Sequence, residues 1–228
     1  VNYVIKIYDY TRVDKMDKWI FILEFIGIIV FAISGSMEAM KANMDLLGVI
    51  ILAVITSTGG GVIRDLILGI TPPNAFANPL YIHVAIVVSV ITFGVLYYNK
   101  KILEHNVTKT VDRGLLLFDA MGLAVFTVVG MNIAYDISKD YSTTLYVFVG
   151  LISGVGGGMM RDILTGNVPY ILDRNVYASA AIIGAMLDVV LRYFISDQLA
   201  MILSALVIFT IRMAAAKRGW NLPKVAGD

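Results

Sequence analysis

Cysteine is absent from these 228 residues, and with it go disulfides, thiolate metal sites and cysteine nucleophiles. Histidine is nearly absent: His83 and His105 stand alone and make no metal constellation. Charge is scarce, at 15% of residues against roughly a quarter in a soluble domain. Its two signs nearly cancel, and a net charge of +1 implies no nucleic-acid partner. None of the serines sits in a nucleophile elbow, and there is neither an HExxH helix nor a GxGD-type intramembrane protease signature. These absences argue against an enzyme and against any cofactor.

What is abundant is hydrocarbon. Hydrophobic residues make up 58% of the chain and the mean hydropathy is +0.80, the balance of a membrane protein. Apolar runs at about 19–40, 46–70, 80–98, 114–135, 142–166, 175–195 and 198–216 each reach the roughly 20 residues that cross a bilayer as a helix. The expectation is an all-α, multi-pass cell-membrane protein of seven transmembrane helices, with the lipid bilayer as its first partner. Short connections with breakers separate the runs: Pro72-Pro73-Asn74, Lys100-Lys101 with residues 104–113, and residues 167–174. No linker is long enough to divide the chain, so residues 1–228 read as one transmembrane domain. Lys6, Arg12, Lys15 and Lys18 alternate with Asp9, Asp14 and Asp17, without a small-residue cleavage site, which reads as a polar N-terminal arm.

One motif occurs twice. Thr58-Gly59-Gly60-Gly61-Val62-Ile63-Arg64-Asp65 is echoed by Gly156-Gly157-Gly158-Met159-Met160-Arg161-Asp162, and Gly69 and Pro72 are matched by Gly166 and Pro169 at the same offsets. The first and fourth helices match too: Glu24, Gly27, Phe31, Gly35 and Ala39 fall opposite Asp119, Gly122, Phe126, Gly130 and Ala134. The third and sixth share Tyr81 with Tyr177 and Ala85 with Ala181. The unit is three helices, at about 19–98 and 114–195, with an unrepeated helix at about 198–216. An odd number of crossings makes the second unit enter from the opposite side, giving a three-plus-three inverted repeat.

Basic residues near helix ends set the orientation. One side carries Lys41, Lys100, Lys101, Lys109, Arg113, Arg174, Lys217, Arg218 and Lys224, and the other Lys6, Arg12, Lys15, Lys18, Lys139 and Arg192. The bias favours an external N-terminus and a cytoplasmic C-terminus.

Each glycine withdraws about 1 kcal/mol of helix preference relative to alanine, so a triplet removes about 3 kcal/mol at mid-membrane. One reading is that the second and fifth helices break at Gly59, Gly60, Gly61 and at Gly156, Gly157, Gly158, exposing carbonyls that replace part of a cation's hydration shell. Thr56, Ser57, Thr58 and Ser153 precede the triplets and would add hydroxyl oxygens. The other reading is close helix packing. Arg64 with Asp65 and Arg161 with Asp162 lie inside apolar runs, where ionisable groups are expensive; they read as gates or as structural ion pairs. Glu24 and Asp119 match across the repeat and read as vestibule acids that concentrate cations. Asp188 and Arg192, one turn apart, read as a pair.

Seven helices, the three-plus-three repeat and the doubled glycine-triplet-Arg-Asp motif together resemble the prokaryotic trimeric intracellular cation (TRIC) channels, related to bacterial proteins catalogued as glycine transporters. The resemblance covers about 19–216. It implies a homotrimer with one potassium-permeable pore per protomer, lined by the first, second, fourth and fifth helices, with the two triplets as pore kinks. Animal members are described as carrying a gating lysine in the fourth helix, and residues 115–135 here have no basic residue. A carrier of a small zwitterion such as glycine is the alternative, since a broken-helix repeat serves both.

Overall fold

The computed structural model describes residues 18–98, 107–173 and 176–220. Residues 1–17 of the N-terminal arm, Lys100, Lys101, His105, Arg174 and Lys224 fall outside the described residues, as does the Lys109 side chain. Nine helices and no strand make up the described residues: α1 (Lys18–Lys41), α2 (Leu46–Ile67), α3 (Asn74–Ala77), α4 (Leu80–Tyr98), α5 (Val107–Ile137), α6 (Thr143–Leu164), α7 (Tyr170–Asp173), α8 (Tyr177–Leu191) and α9 (Asp197–Arg218). Six of them, α1, α2, α4, α5, α6 and α9, are long and apolar enough to cross a membrane.

The sixth expected span, at about 175–195, differs. α8 has 15 residues, about 22 Å of helix against a hydrocarbon core of about 30 Å. Its apolar run ends where Asp188 and Arg192 form an ion pair at 2.6 Å. Two further helices, α3 and α7, are single turns that follow the prolines of each copy.

The expectation of broken second and fifth helices is corrected by the structure: α2 and α6 run unbroken through their triplets. The reason lies in packing. A methyl group added to Gly60 would run into the Ser153 carbonyl, and one added to Gly157 into the Thr56 carbonyl. Gly156 meets the Cα of Gly60 at 2.9 Å from an ideal Cβ position. The triplets therefore let two antiparallel helices cross backbone to backbone, and contact across that crossing replaces the helix preference that glycine withdraws.

α1 and α5 cross in the same reciprocal way. Gly27 seats the Phe126 ring and Gly122 seats the Phe31 ring, and the two rings stack at 5.4 Å between centroids. Gly35 abuts Thr56 Oγ1, and Gly130 abuts Ser153 Cβ. Around this centre α4 fully buries only Tyr81, Ala85 and Ser89, one residue per turn, and leaves a face that includes Leu80, Val87, Val90, Ile91 and Val95 exposed. α8 and α9 close the other flank, where Gly184 admits Ile208.

Candidate functional site

The ends of α2 and α6 are built alike from matched residues. Gly69 and Gly166 take positive φ, 72° and 74°, and close a Schellman turn in which Ile70 N–H donates to Asp65 O (2.8 Å) and Asn167 N–H to Asp162 O (2.9 Å). The turn brings the next short helix back over the aspartate. Asp65 Oδ2 then accepts from Asn74 N–H (2.7 Å) and Asp162 Oδ2 from Tyr170 N–H (2.9 Å).

The other carboxylate oxygen of each aspartate holds the preceding arginine. Arg64 Nε donates to Asp65 Oδ1 at 2.8 Å, and its Nη1 reaches Glu24 Oε1 at 3.1 Å. Glu24 Oε2 accepts from the Tyr81 hydroxyl at 2.8 Å. In the second copy, Arg161 Nε and Nη2 donate to Asp162 Oδ1 at 2.9 and 2.8 Å. Its Nη1 donates to Asp119 Oδ1 (2.9 Å) and to Ser34 Oγ (2.6 Å). The Tyr177 hydroxyl lies 3.3 Å from Asp119 Oδ1. All these charged groups are buried, Arg64 and Arg161 to 1% and 0% exposure.

The expected site residues thus fall into three places. Gly59, Gly60, Gly156 and Gly157 form the buried centre of the α2–α6 crossing, with Gly61 on its edge. Gly158 faces the second cluster, within 2.9 Å of the Tyr177 hydroxyl from an ideal Cβ position. Thr56, Ser57 and Thr58 donate to carbonyls of their own helix, Leu52 for the first and Val54 for the other two, which leaves their oxygens as acceptors. Ser153 Oγ is buried without a partner. Arg64 and Arg161 each stand four residues beyond the crossing, about 6 Å along their helices and, because α2 and α6 are antiparallel, on opposite sides of it. Glu24 and Asp119 sit on the arginines, buried, and not at exposed mouths.

Four participants carried no role in the sequence reading. Tyr81 and Tyr177 were visible as matched positions, and a matched tyrosine beside a matched acid is the available signal. Ser34 had none. Arg212 did: it is a lone cation inside the apolar run of α9, and intramembrane charge is a default functional signal. It is 2% exposed and lies over the Tyr177 ring, 4.7 Å from its centroid.

Continuous apolar helices, reciprocal glycine contacts and two buried arginine clusters define a multi-pass membrane protein whose polar chemistry is internal. A family model described as "Glycine transporter" matches twice, over residues 21–97 and 116–193. The UPF0126 inner membrane protein YadS of Escherichia coli K12 is 36% identical over 208 residues, covering 90% of this chain and 96% of YadS. The chain belongs to this family. Among solved structures, one described as the structural basis for conductance through TRIC cation channels is 38% identical, with a TM-score of 0.76, over 91% of this chain and 97% of that one. The TRIC trimeric intracellular cation channel orthologue from Rhodobacter sphaeroides is 30% identical, with a TM-score of 0.80, over 90% of this chain and 100% of that one. The chain has the prokaryotic TRIC channel fold, and its relatives are membrane and channel proteins, not enzymes.

Proposed function

We propose that the protein is a potassium-permeable monovalent cation channel, active as a homotrimer with one pore per protomer. The observation that carries this reading is the likeness, at 30–38% identity and over nine-tenths of the chain, to solved cation channels. The proposed pathway runs along the α2–α6 crossing, past the oxygens of Thr56, Ser57, Thr58 and Ser153 and the glycines 59–61 and 156–158. The packed crossing is its closed form, and opening separates the two triplets. Arg64-Asp65 and Arg161-Asp162 hold the helix ends on either side, and Glu24 and Asp119 set the charge there.

The two halves read as inverted repeats, 19–98 and 114–195, within a single domain. The reciprocal contacts support this: Gly27 meets Phe126 as Gly122 meets Phe31, and Gly60 meets Ser153 as Gly157 meets Thr56, the pattern of a two-fold axis. The double match of one family model supports it as well. The exposed apolar faces of α4 and α9 are available to neighbouring protomers, and native mass spectrometry in mild detergent is expected to show trimers. With the C-terminus cytoplasmic, a cysteine placed at Lys224 in this cysteine-free chain stays shielded from an impermeant thiol reagent in whole cells, and one at Lys6 reacts.

Planar-bilayer reconstitution tests the function. Unitary current steps that reverse near the potassium equilibrium potential are expected, with no dependence on glycine. One observation favours a second reading, a carrier of a small zwitterion: the matching family model bears the description of a glycine transporter. Saturable glycine uptake without unitary steps would replace the channel reading with that one.

A further inference from the structure

Arg212 projects from α9, which lies outside both stretches matched by the family model, on a buried face shared with Ser204, Ile208 and Ala215. Arginine is always charged, and a buried charge is costly unless it is paired and hydrogen-bonded. Yet Arg212 is 2% exposed, and its Nε and Nη2 have no hydrogen-bond partner among the described residues. Those two nitrogens form the edge with which arginine grips a carboxylate. A carboxylate oxygen in the same state belongs to the same cluster: Asp119 Oδ2 is buried and has no partner either. Tyr177 is in contact with both residues. Its ring carries the Arg212 guanidinium 4.7 Å from the centroid, while its hydroxyl lies 3.3 Å from the other oxygen of Asp119.

The bonds already made at this end leave an exchange of partners open. Asp119 Oδ1 accepts a single bond from Arg161, through Nη1 at 2.9 Å. Losing it would not strip Arg161, whose Nε and Nη2 stay on Asp162 Oδ1 at 2.9 and 2.8 Å and whose Nη1 stays on Ser34 Oγ at 2.6 Å. The neighbouring charges are engaged with one another: Lys41 pairs with Asp112 at 2.8 Å and with Glu38 at 3.6 Å, and Glu38 Oε1 accepts from Asn167. Arg212 can offer Asp119 two parallel bonds in place of one. The first cluster has no such alternative, because Glu24 gives one oxygen to Arg64 and the other to Tyr81.

We infer that Asp119 is a two-position switch that exchanges Arg161 for Arg212, with the Tyr177 ring as the wedge between the two positions. In the observed position its carboxylate ties α5 to α6 through Arg161. In the second, the ring swings aside and Arg212 grips the carboxylate, tying α5 to α9 instead. The exchange releases α6, the helix of the second triplet, from α5, and so frees the α2–α6 crossing to separate. Arg212 is then a positioning residue for opening, acting through Asp119. This rests on the channel reading above. Two packings related by one exchange of partners make the kind of bistable element that switches use.

Open probability in planar bilayers, set beside thermal unfolding in detergent, tests the switch. Arg212→Met removes the second position, and from the observed one it takes only the stacking on Tyr177. Open probability should fall at least about tenfold, with unitary conductance unchanged and the unfolding temperature unchanged or higher, since an unpaired buried charge is replaced by an apolar chain. Arg212→Lys keeps the charge but not the two-pronged edge, so open probability should again fall, by at least about threefold. Tyr177→Leu removes the wedge and should raise open probability at least about threefold, a rise that adding Arg212→Met should abolish. If Tyr177→Leu does not assemble, the two Arg212 variants decide. An open probability within about twofold of wild type in Arg212→Met, or full recovery with Arg212→Lys, overturns the inference while leaving the channel reading intact. So does an Arg212→Met that fails to assemble or melts markedly lower, because Arg212 is then a strut of the observed state. Absence of any unitary current from the wild type overturns both.

Discussion

The two arginine clusters occupy matched positions and are held by matched turns, but one methylene separates their acids. Glu24 is long enough to give one oxygen to Arg64 and the other to Tyr81. Asp119 is shorter: it presents Oδ1 to both Arg161 and Tyr177 and leaves Oδ2 unpartnered. Arg161 gains instead from outside its own half, taking Ser34 of α1, where the matched position for the first cluster is the apolar Val129. Arg212 of α9 then stands behind Tyr177. The first cluster is closed within the first half of the chain, whereas the second draws on α1 and α9. Matched halves can thus keep the positions of a network while letting its hydrogen bonds diverge.

Removing the arginines should break the comparison most forcefully. Stripping one partner from a buried ion pair typically costs about 3–5 kcal/mol, so Arg64→Met and Arg161→Met should both lower the unfolding temperature in detergent severely. Arg64→Met should be the worse of the two. Among the described residues it leaves Glu24 and Asp65 with no cation in ion-pair contact, while Arg161→Met leaves Arg212 on the ring of Tyr177, whose hydroxyl neighbours Asp119, and forfeits a further hydrogen bond to Ser34, worth about 1 kcal/mol. If Arg161→Met proves clearly more damaging, the Ser34 tie between the halves outweighs the charge balance.

The glycines give the next largest effect, and there the two halves should behave alike. An alanine at Gly60 or Gly157 pushes a methyl group into a backbone carbonyl of the facing helix, an overpacking expected to cost about 1–3 kcal/mol. The two single variants should agree within error because their contacts are reciprocal. Gly61 supplies the contrast: the nearest atom to its added Cβ is an Arg64 nitrogen at 3.6 Å, so Gly61→Ala should be neutral or stabilising by up to about 1 kcal/mol. Equal destabilisation at all three sites would deny the packing account of the crossing.

Much of this arrangement was legible in the sequence, and the boundary of legibility is physical. Composition and run length gave the spans because a bilayer imposes a minimum apolar length; they overstated α8, where Asp188 and Arg192 end the run early. The repeated motif gave the positions that meet, since reciprocal contacts require matched residues. It did not give how the triplets are used. Softness in an isolated helix and close approach of two helices demand the same residue, and only the facing carbonyls of Ser153 and Thr56 separate the two. Likewise Arg64 and Asp65 announced an ion pair, but the acid from a distant helix that completes each cluster is a tertiary fact. Arg212 could have been singled out from its apolar surroundings alone; its stacking on Tyr177 could not.

The finest distinction between the halves lies in the two tyrosine hydroxyls. In the first cluster the Tyr81 hydroxyl donates to Glu24 Oε2 at 2.8 Å, and no other hydrogen bond to that oxygen is seen among the described residues. Tyr81→Phe therefore strands a buried carboxylate oxygen, at an expected cost of about 1–3 kcal/mol. In the second cluster the Tyr177 hydroxyl lies 3.3 Å from Asp119 Oδ1, long for a bond between hydroxyl and carboxylate. That same oxygen keeps Arg161 at 2.9 Å. Tyr177→Phe also retains the ring face on which Arg212 rests, so its cost should stay below about 1 kcal/mol. Thermal unfolding of the two variants in one detergent measures the difference directly, expected near 1 kcal/mol with Tyr81→Phe the less stable. Equal losses would mean that the Tyr177 hydroxyl carries as much of its cluster as Tyr81 does, and that the shorter reach of Asp119 changes the geometry without changing the energetics.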